Sequence, residues 1–115
     1  MILDKLGKIA IVTVNVFWQR PQSYYDQDLW RGTSKLDGGA LLNQSCHYVD
    51  LITYLSNCSV KKVSAFCNTL NRKIEMEDTA VMNFEFEKGI LANLSSTMFF
   101  IFKSSISFSR VKSLF

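Results

Sequence analysis

Among 115 residues there is one histidine. His47 stands four positions after Asn43, three before Asp50 and seven before Tyr54, offsets that place all four side chains on one stripe of a helix. Imidazole titrates near neutrality and can exchange a proton with a sugar hydroxyl, while an amide one turn earlier can orient ring or substrate without adding charge. The same spacing also suits a half-buried His47 hydrogen-bonded to Asp50 or to backbone, so spacing alone leaves both readings open. A metal centre is not among them. His47 and Asp50 make two ligands where a catalytic zinc takes three from the protein, and Cys46, Cys58 and Cys67 contain no C-x-x-C pair.

The elements that must carry this stripe are legible from residue pattern. Residues 8–18 hold Ile9, Ile11, Val12, Thr13, Val14 and Val16, a β-branched run that predicts a strand, with Asn15 arguing against burial on both faces. Pro21 stops regular pairing. Residues 22–37 are polar, aromatic and irregular, with Tyr24, Tyr25 and Trp30 set among Asp26, Asp28 and Arg31; loops of this length in a compact domain are often functional. Tyr25 and Trp30 are equally suited to closing the edge of a core. Asp37 is positioned to cap a helix that starts with Gly38 and Gly39 and runs to Asn57, with Leu41, Leu42, Val49, Ile52 and Leu55 at helical spacing. The paired glycines would let a phosphate approach backbone N–H groups there, or would serve a tight loop-to-helix turn.

Beyond the helix, residues 60–70 return to strand character and Glu77-Asp78 form an acidic entry to a further strand. Residues 79–87 alternate, with Ala80, Met82, Phe84 and Phe86 on one face. Lys88-Gly89 predicts a hairpin turn into residues 90–97, Gly89 supplying the positive φ. The resulting fold class is α+β: a mainly antiparallel open sheet with one principal helix packed on one face.

Composition narrows the function classes. Thirteen Lys and Arg oppose ten Asp and Glu, and all three surplus cations (Lys103, Arg110 and Lys112) fall in residues 99–115, so the body is neutral and lacks the basic stripe of a nucleic-acid binder. Three cysteines cannot all pair, which fits a reduced cytoplasm. The apolar stretch 9–17 is followed by Trp18, Gln19 and Arg20 where a signal peptide has small residues. The apolar run 89–102 is shorter than the roughly 20 residues of a membrane-spanning helix. One domain of about this size cannot hold both a dinucleotide fold and a substrate domain. Five of the nine phenylalanines lie in residues 99–115, a change of character after Met98.

Trp18-Gln19-Arg20-Pro21, Tyr24-Tyr25, Trp30-Arg31-Gly32, Asp37-Gly38-Gly39-Ala40-Leu41-Leu42-Asn43-Gln44, His47-Tyr48-Val49-Asp50-Leu51 and Glu77-Asp78-Thr79-Ala80 follow one another in a familiar order. In these motifs the chain resembles the C-terminal substrate domain of Gfo/Idh/MocA oxidoreductases, from about residue 7 to about residue 98. Within that family it looks most like the branch that oxidises UDP-N-acetylglucosamine or its uronate at C3 in lipopolysaccharide sugar biosynthesis.

The resemblance implies a site between two domains, in which a Rossmann domain holds NAD and contributes a lysine from a Glu-Lys-Pro motif. It implies catalytic roles for His47 and Asn43, substrate contacts from Arg20, Tyr24, Tyr25 and Gln44, and a cofactor-side position for Trp30 and Arg31. Many members have an aspartate at the place of Asn43, which makes orientation by hydrogen bonding the expected role here. No G-x-G-x-x-G and no Glu-Lys-Pro occurs in the chain. The expectation is therefore a partial substrate and dimerisation domain in residues 1–98 and an aberrant end in residues 99–115. Such a fragment would bind no NAD and turn nothing over alone, would bind a nucleotide sugar and would self-associate through its sheet into a homodimer or higher oligomer; a separate nucleotide-binding domain is a further partner that the sequence leaves open. The alternative is a stand-alone sugar-nucleotide-binding or self-associating module without catalysis.

Overall fold

The computed structural model describes residue 5 and residues 7–99. Strand β1 (Ile11–Phe17) leads into a short helix α1 (Gln22–Asp26), then a π-helix (Ala40–Gln44), helix α2 (Cys46–Ser56) and strands β2 (Val60–Asn68), β3 (Thr79–Phe86) and β4 (Leu91–Thr97). The four strands form one sheet in the order β1-β4-β3-β2. Two pairings, β2 with β3 and β3 with β4, are antiparallel. The third is parallel, with Ile11 opposite Leu91 and Phe17 opposite Thr97. The sheet is thus mainly antiparallel with one parallel edge, which the helical crossover after β1 makes possible.

Alternation decides the two faces. Along β3, Ala80, Phe84 and Phe86 are buried while Val81 and Asn83 are exposed; along β4, Ala92, Leu94 and Ser96 are buried, as is Met98 just after it. These inward residues meet Val12 and Val16 of β1, Ala40 and Ile52 in one core, where the Phe84 and Phe86 rings stack at 6.2 Å between centroids. The β3–β4 turn is the expected one: Gly89 has φ +83° and donates its N–H to Phe86 O at 2.9 Å. Among the described residues nothing packs over the opposite sheet face, where Ile11, Phe66, Val81 and Leu91 are exposed.

Two sequence expectations are corrected. Helix α1 interrupts a segment expected to be wholly irregular, starting directly after Pro21, whose fixed φ of −66° suits a helix entrance. The single helix expected from Asp37 to Asn57 is instead two. Ser45 N–H bonds Ala40 O at 2.9 Å, a five-residue step, and Ser45 Oγ meets Ser96 Oγ of β4 at 2.6 Å inside the core. This buried side-chain bond pins the junction, and α2 restarts after it. Asn57 closes α2 in the left-handed region at φ 49°, its N–H bonding Thr53 O and Tyr54 O.

Candidate functional site

Asp37 is not the helix cap. Its Oδ2 accepts the Gly32 N–H at 2.6 Å and its Oδ1 accepts the Asn43 side-chain amide. The π-helix is capped from elsewhere in the chain: Glu77 Oε1 accepts the Leu41 N–H at 3.0 Å, and Glu77 O accepts the Ala40 N–H at 3.0 Å. A Cβ on Gly39 would lie 2.2 Å from the Glu77 carboxylate, and Gly38 stands at φ +82°. The paired glycines therefore serve the tight turn and the approach of Glu77. The helix start, which could have held a phosphate, is filled by the protein's own carboxylate.

Beside this turn the residues singled out by type form a ladder of rings and guanidinium groups. Arg20 Cζ lies 5.3 Å from the Trp18 ring centroid and 4.7 Å from that of Tyr24. Arg31 Cζ lies 4.2 Å from Tyr24 and 5.2 Å from Trp30. Tyr24 is thus held between two cations, each such contact contributing about 0.5–2 kcal/mol according to its solvation. Trp18 also meets Tyr48 edge to face at 6.3 Å, which joins the ladder to the first turn of α2, next to His47. Neither Trp18 nor Tyr48 was singled out from sequence as a site residue; the repeated aromatic–cation alternation around Arg20 was the available signal.

The two arginines differ in what they have left to give. Arg31 Nη1 donates to Tyr24 O at 2.8 Å and to Gln27 Oε1 at 3.1 Å, and Nη2 pairs with Asp28 at 3.1 Å. The Arg20 guanidinium makes no hydrogen bond or ion pair among the described residues; its Nε, like that of Arg31, is buried without a partner. Its position is set through the backbone: Arg20 N–H bonds Met98 O at 2.8 Å, and Arg72 Nε bonds Arg20 O.

Arg72 belongs to a corner built on Asp78. This carboxylate is wholly buried and accepts the N–H groups of Leu70, Asn71 and Arg72 at 3.0, 2.9 and 2.8 Å, and the Thr79 hydroxyl at 3.0 Å. Burial pushes the carboxyl upward, but the backbone and hydroxyl hydrogen bonds outweigh it and hold Asp78 below its ordinary value. The acidic entry read from sequence is a loop anchor.

The remaining candidates separate by exposure. His47 is exposed and Asn43 half-buried; the break at Ser45 puts Asn43 on the π-helix and His47, Asp50 and Tyr54 on α2, so the four do not share one helix. Tyr25 is 5% exposed, lies under Tyr24 with ring centroids 5.1 Å apart, and burial, followed by the neighbouring Tyr24, pushes its phenol up to about 12. Gln44 is 4% exposed and its Oε1 is buried without a partner. No group of three or more metal-ligating side chains occurs among the described residues, and no helix among them is long and apolar enough to cross a membrane. At the helix start Glu77 occupies the backbone N–H groups, and the Arg31 nitrogens Nη1 and Nη2 are committed within the chain.

The family model of the GFO/IDH/MocA C-terminal domain matches residues 3–109, and the chain belongs to that family. The match reaches Ser109, past Met98 where the sequence resemblance was expected to end; the change of character expected in residues 99–115 lies outside the described residues apart from Phe99. No curated protein matches the chain.

Among solved structures, the chain is similar to the WlbA dehydrogenase from Bordetella pertussis in complex with NADH and UDP-GlcNAcA. The two are 46% identical with a TM-score of 0.79, over 84% of this chain and 29% of that one. WlbA from Chromobacterium violaceum, in complex with the same two molecules, is also 46% identical with a TM-score of 0.82, over 90% of this chain and 30% of that one. At 22% identity and a TM-score of 0.67, an aldose–aldose oxidoreductase from Caulobacter crescentus shares the fold over 80% of this chain and 28% of its own. The chain thus spans about 30% of the length of the WlbA dehydrogenases.

Proposed function

We propose that the chain is the substrate-binding segment of an NAD-dependent dehydrogenase that oxidises a UDP-N-acetylhexosamine, or its uronate, at C3. The observation that carries this reading is the uncommitted guanidinium of Arg20, held against Trp18 and Tyr24 in a chain 46% identical to dehydrogenases solved with UDP-GlcNAcA. A partly buried cation with unspent donors on a rigid aromatic support is suited to a diphosphate or carboxylate, which it can grip through paired N–H groups. Tyr24 and Trp18 give the ligand flat apolar surface beside that charge. His47, exposed at the start of α2, exchanges a proton with the sugar hydroxyl, and Asn43 orients the sugar by hydrogen bonding. Trp30 and Arg31 face the nucleotide domain that the cofactor requires, and Tyr25 and Gln44 support the site from beneath. The chain alone does not turn over.

Calorimetric titration with UDP-GlcNAcA tests the reading. Binding is expected, and Arg20→Ala should weaken it about tenfold or more, the contribution of a charged hydrogen-bond pair. No heat at millimolar ligand would remove the proposal. The three cysteines, free of disulfides, support a reduced, cytoplasmic setting. Ile11, Phe66, Val81 and Leu91, exposed on the sheet face opposite the core, support self-association into a homodimer or higher oligomer through that face. A monomer in sedimentation at micromolar concentration would overturn the self-association.

A further inference from the structure

The Asp37 carboxylate has only acceptors to offer, and it spends one oxygen on each of two partners. Oδ2 takes the Gly32 N–H at 2.6 Å, and Oδ1 takes the side-chain amide of Asn43. Since a carboxylate cannot receive the carbonyl end of an amide, Asn43 must turn its Nδ2 inward. Its Oδ1 then accepts no hydrogen bond among the described residues. Asp37 is itself fixed by the turn it stands in, because its own N–H and that of Gly38 both bond Thr33 O, at 3.2 and 2.8 Å. Gly38 follows at φ +82°, and the π-helix that presents Asn43 is closed at its other side by Glu77. The amide is therefore clamped at both its backbone and its nitrogen.

We infer that Asp37 is a positioning residue: it commits the Asn43 nitrogen to the protein, so that Oδ1 alone is offered to the ligand, which must bring an O–H or N–H donor to that point. The inference rests on the reading of the site as a nucleotide-sugar site, where a ring hydroxyl or the N–H of an acetamido group would be that donor. It assigns to Asn43 one of the two roles an amide can play, acceptor rather than donor. The Gly32 bond adds a second consequence, since the same carboxylate ties the Trp30–Arg31 loop to the residue that orients the sugar. A carboxylate at position 43 would instead face Asp37 at hydrogen-bond range, where two like charges cannot both persist.

The test is an exchange of the two side chains. Asp37→Asn lets the amides pair in either sense and should weaken UDP-GlcNAcA about tenfold; Asn43→Asp sets two carboxylates together and should weaken it further. In the double variant Asp37→Asn/Asn43→Asp the amide at 37 can accept from Gly32 and donate to the carboxylate at 43, whose second oxygen faces outward. Affinity should return to within about threefold of the parent chain. A double variant no better than the weaker single, or Asp37→Asn binding as well as the parent, would overturn the inference. Nuclear magnetic resonance of the nitrogen-15-labelled chain reads the clamp without ligand. The Asn43 side-chain amide should show one proton shifted downfield from its geminal partner, with the separation lost in Asp37→Asn; an amide pair indifferent to Asp37→Asn overturns the inference. If the clamp is seen and no nucleotide sugar binds, it is the functional reading that fails.

Discussion

Asp78 and Arg20 are linked through one residue, yet the protein treats their charges in opposite ways. Arg72 donates its backbone N–H to Asp78 and its Nε to Arg20 O. Asp78 is fully buried and receives four hydrogen bonds from the loop around it. Arg20 is only partly buried, and its guanidinium has ring faces but no acceptor among the described residues. A buried charge with every lone pair occupied is a scaffold element, since its interactions are already complete. A cation with unspent donors keeps that interaction energy for a ligand. The satisfied corner thus fixes the backbone from which the unsatisfied arginine is presented.

Removing the satisfied member should have the largest effect. Asp78→Ala leaves three backbone N–H groups without their acceptor, at roughly 1–3 kcal/mol each when no water replaces it, so a loss of about 3 kcal/mol or more is expected in urea unfolding. The carboxyl is held below its ordinary value in the folded chain. Its contribution is therefore complete above the unfolded value of about 4 and is lost as pH falls through the folded one. Between pH 7 and pH 3 the parent chain should lose stability that Asp78→Asn no longer loses. An unfolding midpoint unchanged in Asp78→Ala would break the comparison. Arg20→Ala sharpens it from the other side: the binding loss given above should come with less than about 1 kcal/mol of stability, the scale of exposed charge and cation–π contacts.

This division was only partly visible in the sequence. Strands β3 and β4 were legible because alternation and the Lys88-Gly89 turn are local signals, and Ala80, Phe84 and Phe86 are buried as the pattern required. The helix was legible as apolar spacing but not as two pieces, since the break at Ser45 depends on Ser96, half the chain away, and the cap on Glu77. Asp37 has the residue type of an N-cap, so local rules assigned it one; Gly32 and Asn43 compete for its oxygens only after the turn has closed. The parallel pairing of β1 with β4 has no local signature. Arg20, Tyr24, Trp30 and Arg31 were found by type and order, and the structure gathers them into one ladder. What separated committed from uncommitted arginine was partners distant from Arg20 in sequence, which no spacing encodes.

Tyr24 and Tyr25 carry the comparison down to adjacent residues, and here the expected effects are smallest. Tyr24 stands between two guanidinium groups, whereas Tyr25 is buried beneath it, against the ring edge and the turn where a Cβ on Gly32 would come within 3.4 Å. If Tyr25 belongs to the scaffold, Tyr25→Phe keeps its ring packing and should change nucleotide-sugar affinity by less than about threefold. Its phenol should be read in the ultraviolet titration instead. Of the four tyrosines, one should ionise only near pH 12, as burial pushes Tyr25 up to about 12, and that step should vanish in Tyr25→Phe. Because the folded value is raised, the associated stability is complete below the unfolded value of about 10 and is lost as pH rises toward the folded one, so the variant should unfold less steeply in alkali. A tenfold loss of affinity in Tyr25→Phe would instead put its hydroxyl in contact with the ligand, and the line between scaffold and site would have to be redrawn beneath Tyr24.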